Sequence, residues 1–167
     1  MRKQLIWAAL APVAALIQTT WLESIRVAGV TPDLVLLLVV YFAITEGEER
    51  AMYTGVLGGL FYDIIRDAAL GHHILAFVVA GFVTGRVSRR LITEHPAIKA
   101  GLVFGASILY GLLYTAILYV QTPQIGALNT IAAHVVPAAF YTALVTPLLF
   151  YLLDWSFRRA TPVQGGY

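Results

Sequence analysis

Six apolar runs, separated by short polar breaks, constrain this chain more than any other feature. They cover residues 5–22, 31–45, 51–69, 72–87, 97–121 and 128–155. A bilayer core of about 30 Å needs roughly 20 apolar residues of helix. The expected fold is an all-α integral membrane protein with six transmembrane helices. Composition agrees, because only 12% of the residues are charged, where a soluble domain carries about 25%. One transmembrane domain is expected over residues 1–160, with a short cytoplasmic tail over 161–167.

The second run is short, but its start is well signalled. Thr31 suits an N-cap, Pro32 the first helical position and Asp33 the positive end of the helix dipole. The sixth run is long and holds Pro137 and Pro147. A kink is expected there, or a short interfacial segment over 125–135 ahead of the span. The first run follows Arg2 and Lys3, as a secretory signal would. No clear cleavage site follows it and more spans come after, so a retained span is expected.

Lysine and arginine set the orientation. With the N-terminus cytoplasmic, the inner segments hold Arg2, Lys3, Arg50, Arg86, Arg89, Arg90, Lys99, Arg158 and Arg159. The outer loops hold only Arg26 and Arg66, a bias of nine to two. Both termini then lie inside, consistent with an even number of spans. Trp7, Trp21, Tyr119 and Trp155 fall near span ends, as an aromatic belt requires.

Several function classes lose support. There is no Cys, hence no thiolate metal site and no Cys nucleophile. No phosphate-binding loop, dinucleotide fingerprint or nucleophile elbow occurs, and no soluble domain fits in the loops. Arg86, Arg89 and Arg90 form a short basic cluster that reads as a topology anchor, not a nucleic-acid site. No cofactor is expected, and function is expected to reside in the helices or in short interfacial loops.

Glycines mark close helix contacts. Gly55 and Gly59, Gly81 and Gly85, and Gly101 and Gly105 each form a GxxxG pair on a successive run. Residues four apart share a helix face, and small ones let two backbones approach in lipid. Each pair fits packing inside one chain, or an interface with a partner helix or a second copy. Gly55, Gly59, Asp63, Gly81 and Gly85 are the interface candidates. Ala51, Gly55, Gly59 and Asp63 continue one stripe, leading to a carboxylate.

The polar residues near the outer end of the third run form the second candidate cluster: Asp63, Arg66, Asp67, His72 and His73. Asp63, Arg66 and Asp67 share a helix face at spacings of three and four, so Arg66 is the expected partner of both acids. Gly71 is expected to end that helix. An ionisable group at membrane depth is costly and defaults to a functional or assembly role. Adjacent histidines diverge by about 100° on a helix, which argues against a metal site at His72 and His73. Glu46, Glu48 and Glu49 read as a solvated inner turn, and His134 as a packing group.

These residues resemble a known family. Pro32-Asp33-Leu34-Val35-Leu36, then Gly55-x-x-Gly58-x-Leu60-x-x-Asp63, then Leu70-Gly71-x-His73, then Gly81-x-x-x-Gly85-Arg86 look like MreD, the rod shape-determining membrane protein family of bacteria. The likeness is densest over residues 31–90. It implies a non-enzymatic component of the elongasome in the inner membrane. The implied partner is MreC, a single-span protein with a periplasmic domain. RodA, a penicillin-binding transpeptidase and MreB are implied as further members of the rod complex. The family also looks distantly like the six-helix substrate-binding subunits of energy-coupling-factor transporters. A solute-binding or transport subunit is the alternative reading, with Asp63, Asp67, His72 and His73 lining a pocket. An intramembrane enzyme is a third reading, without a nucleophile or metal pair to support it.

Overall fold

The computed structural model describes residues 2–20, 29–65, 71–91, 95–121 and 126–159, which fold as helices joined by short turns. These are α1 (Arg2–Thr20), α2 (Leu34–Thr45), α3 (Glu48–Ile65), α4 (His72–Ser88), α5 (Pro96–Gln121), α6 (Ala127–Thr130) and α7 (Val136–Arg159), with a π turn (Ile131–Val135) joining α6 to α7. The last three run on without a break, so the described residues form six helical rods. Two stretches, Pro96–Gln121 and Leu128–Ser156, are long and apolar enough to cross a membrane. Shorter apolar stretches occupy Leu10–Thr20, Leu34–Thr45 and His72–Ser88.

The short second run is the core of the molecule. Residues Val35 to Ala43 are each at most 5% exposed, and α2 touches α1, α3, α4, α5 and α7. A helix apolar all round belongs in an interior or in lipid, and here the other helices take the place of lipid. Its 12 residues give a length of about 18 Å, short of a bilayer core. Local chemistry sets both ends. At the start, Asp33 is the N-cap, not Thr31: its Oδ1 accepts from Leu36 N–H at 2.9 Å. A carboxylate in reach of the third helical N–H satisfies an orphan donor and complements the dipole, which leaves Pro32 ahead of the cap. At the finish, Glu46 and Gly47 N–H both donate to Phe42 O, and Gly47 takes φ +94°. That left-handed conformation suits glycine and stops the helix.

Around α2, the closest helix pair is α3 with α4, while α5 packs on α7 and on α4. At the C-terminal end of α2, Tyr41 donates to Asp154 Oδ1 at 2.8 Å and sets its ring edge-on to Phe150. Lys99 stands 5.8 Å from the centre of that Phe150 ring. The interfacial segment anticipated before the sixth span appears as α6 and the π turn. Its cause is Pro137, which offers no N–H to the preceding turn. Val136 N–H instead bonds five residues back to Ile131 O. Tyr119 and Trp155 are half exposed near helix ends. The Trp7 side chain, Trp21, Arg26 and residues 161–167 lie outside the described residues.

Candidate functional site

Polar side chains gather at the end of the bundle where α3 hands over to α4. Asp63 is 1% exposed. Its Oδ2 accepts from Gly71 N–H at 2.8 Å, and its Oδ1 accepts from His73 N–H at 3.2 Å. His73 Nδ1 lies 2.6 Å from the same Oδ1. A carboxylate that already accepts two backbone donors takes the Nδ1 proton as a third, which fixes the imidazole tautomer. The acid thus closes the N-terminus of α4, where the helix dipole favours negative charge. Gly71, expected to end the preceding helix, is instead the N-cap of α4 with φ +107°. Glycine has no side chain to cap with, and Asp63 supplies the cap from α3. The observed partner of Asp63 is His73; Arg66 and Asp67 lie outside the described residues. His72 turns the other way and meets Gln121 at 2.7 Å.

A second clasp closes α2 beside the first. Gln18, buried on α1, accepts from Leu34 N–H at 2.9 Å and Val35 N–H at 3.2 Å. It donates to Tyr62 OH at 3.1 Å, and the Tyr62 ring lies 4.6 Å from that of His73. Asp33 N–H donates to Thr142 Oγ1 at 3.1 Å, which ties α2 to α7. Five helices therefore meet in one polar layer.

Behind this layer lies a cavity of about 350 Å³. Gln18, Asp33, Tyr62 and His73 form one wall, and α5 forms another with Ser107, Tyr110, Tyr114 and Thr115. The π turn and α7 complete it with His134, Ala138 and Thr142. Tyr110 stacks flat on Phe77 at 4.5 Å, with ring planes 9° apart, and Tyr114 lies 4.5 Å from His73. Gly111 admits the π turn: a Cβ there would stand 2.3 Å from Val135 Cγ1. Sequence reasoning placed His73 at this end but missed the α5 wall. Its signal was present, because Ser107, Tyr110, Gly111, Tyr114 and Thr115 recur at helical spacing on one face. His134, read as a packing group, lines the cavity.

The four interface glycines all lie between α3 and α4. A Cβ at Gly55 would stand 3.0 Å from Phe77 C, and one at Gly59 would stand 2.6 Å from Ile74 Cα. A Cβ at Gly81 would stand 3.2 Å from Ala51 and 2.9 Å from Val39 Cγ1 of α2, and one at Gly85 would stand 2.6 Å from Glu48 Cα. Gly58 meets Val35 of α2 instead. Of the three pairs, only Gly101 and Gly105 have nothing within 4 Å. At the N-terminal end of α3, Glu48 is not simply solvated. Its carboxylate lies 3.2 Å from Arg89 Nε and 3.8 Å from Arg86, so the acidic turn clasps the basic end of α4. Glu46 pairs with Arg50 at 2.9 Å.

The family model for rod shape-determining protein MreD matches residues 1–158, nearly the whole chain. The chain belongs to the MreD family. MreD is a membrane-protein family, and membership carries a role in rod shape determination. No curated protein and no solved structure matches the chain. The likeness to energy-coupling-factor subunits thus rests on sequence resemblance alone. Every segment that carries the MreD resemblance has a structural task here. Asp33 caps α2, Gly55 and Gly58 seat α3 between its neighbours, Asp63 with Gly71 and His73 builds the α3–α4 clasp, and Gly81 and Gly85 admit α3 to α4.

Proposed function

We propose that this MreD-family chain is a non-enzymatic scaffold of the rod complex in the bacterial cytoplasmic membrane. It crosses the membrane six times as one domain over residues 1–160, with both termini and the tail over 161–167 in the cytoplasm. It binds MreC through helix contacts and supports lateral peptidoglycan synthesis, in company with RodA, a transpeptidase and MreB. The observation that carries this reading is the family match over residues 1–158. The charge pattern supports the orientation: Arg50, Arg86, Arg89 and Lys99 all fall at the bundle end opposite Asp63 and His73. In this reading Gly55, Gly59, Gly81 and Gly85 serve assembly through the α3–α4 pair they hold together. Asp63 and His73 lock that pair at its outer end.

The test is affinity purification of the tagged protein from its own membranes under mild detergent, with mass spectrometry of what accompanies it. The expected result is a single-span protein with a periplasmic domain in stoichiometric amount. Recovery of the chain alone, or with an ATPase module instead, overturns the scaffold reading.

A further inference from the structure

The cavity contains a polar group that the described residues leave without a partner. Ser107 is 7% exposed, and its buried Oγ has no hydrogen bond among the described residues. A buried polar atom without a partner calls for an explanation. Ser107 sits on the cavity wall, one helical turn from Tyr110 and Gly111 and two from Tyr114. The explanation nearest at hand is a group that enters the cavity and bonds to the hydroxyl.

The lining defines what that group belongs to. Twelve of the eighteen described lining residues carry a polar side chain, set among the apolar surface of Leu36, Leu118, Val135 and the tyrosine rings. None of the described lining residues is Lys or Arg, so the described wall offers a phosphate or carboxylate no permanent cation. Asp33 is the one acid among the described lining residues, and its Oδ1 caps the N-terminus of α2. The remaining polar groups are the Gln18 amide, hydroxyls, imidazoles and flat tyrosine rings. Tyrosine pairs an apolar face with a polar tip. Such a face suits the C–H face or π face of a ring, while hydroxyls bond to its substituents. A volume of about 350 Å³ lies at the small end of ligand pockets, which start near roughly 300 Å³. It holds one ring, not a chain of them. The π turn that delivers His134 is a local irregularity of a kind found often at functional sites.

We infer that this cavity binds a single uncharged ring molecule of pyranose size, bearing hydroxyl or amide groups, with Ser107 as a hydrogen-bonding contact and Tyr110 and Tyr114 as stacking faces. The site stands independently of the scaffold reading, because its argument uses the cavity lining and not the family.

Saturation-transfer NMR on the purified full chain in lipid nanodiscs tests this, with N-acetylglucosamine, glucose 6-phosphate and choline as probes. Saturation is expected on the ring protons of N-acetylglucosamine and not on the other two. It should fall at least fivefold in Tyr114→Leu and stay unchanged in Leu144→Ala, a change at a highly exposed position on α7. A second variant guards against misfolding. The chain has no Cys, so Ser107→Cys carries one thiol, and its folded form can be compared before and after a benzyl thiosulfonate fills the cavity. The sugar signal should vanish on labelling. No sugar signal from the wild-type chain, an equal signal from glucose 6-phosphate or choline, or a signal that survives labelling overturns the assignment.

Discussion

Asp63 and His73 stand ten residues apart in the chain, and Asp63 Oδ1 meets His73 Nδ1 at 2.6 Å with both side chains buried. The same carboxylate holds the Gly71 and His73 backbone N–H groups. One acid on α3 therefore performs two tasks. It caps α4, and it orients the ring that forms part of the cavity wall. A helix pair held by glycines along its length has its register pinned at this end by a charge-assisted contact.

Asp63→Ala should be the most damaging single change at the polar end. It leaves two backbone donors and an imidazole N–H buried without an acceptor. Each buried donor left unsatisfied costs about 1–3 kcal/mol. Asp63→Asn should cost less, since its amide oxygen still accepts. Thermal unfolding of the purified variants in detergent measures the order; equal stability of Asp63→Ala and the parent would contradict the clasp.

The glycine pairs should divide into two classes. Gly59→Ala places a Cβ 2.6 Å from backbone atoms of α4, and Gly85→Ala does the same against Glu48. Backbone cannot rotate out of the way, so each should destabilise by about 1–3 kcal/mol through overpacking. Gly101→Ala and Gly105→Ala meet nothing within 4 Å and should be neutral or stabilise by up to about 1 kcal/mol through helix propensity. Melting temperatures for the four variants separate the classes, and uniform effects would refute the assignment of the α3–α4 seam.

Gly111→Ala should destabilise because its Cβ would strike Val135 Cγ1 at 2.3 Å. Here the obstacle is a side chain, so Val135→Ala should rescue it. A double-mutant cycle is expected to give a favourable coupling of about 1 kcal/mol or more. Additive effects would mean that the π turn does not press on α5 at this point.

Gln18→Leu should loosen the start of α2. It removes the acceptor for Leu34 and Val35 N–H and the donor to Tyr62. Unsatisfied buried groups cost about 1–3 kcal/mol. Hydrogen exchange should speed up at Leu34 and Val35 while residues in the middle of α2, such as Val39, keep their protection. Unchanged exchange at the two amides would show that Asp33 caps the helix alone.

Much of the fold was legible because helix formation in an apolar chain is local. The starts and ends of α4 and α5 follow from hydropathy and turn residues within one or two positions. Pro137 foretold the irregularity before α7, and the spacing of His72 and His73 foretold their divergence. The cap of α2 was misplaced at Thr31, since Thr31 and Asp33 are both good caps and only the geometry of the first turn chooses between them. Arg66, expected beside Asp63 from helical spacing, lies outside the described residues, while the partner found, His73, stands ten residues on, beyond the reach of spacing rules on one helix.

By itself, the sequence determined that this chain is a bundle of apolar helices, which end carries the positive charge, and where small residues permit close approach. These are properties of short windows, set by side-chain transfer energies and backbone propensity. Only the tertiary structure decided that α2 is the buried core and not a lipid-facing span, because leucine in lipid and leucine in protein read alike. It decided too that Gly55, Gly59, Gly81 and Gly85 are spent on each other's helices, while Gly101 and Gly105 are not. The cavity is likewise a tertiary fact. Its wall draws residues from Gln18 to Thr142, and no pattern along one helix reports what the other helices bring to face it.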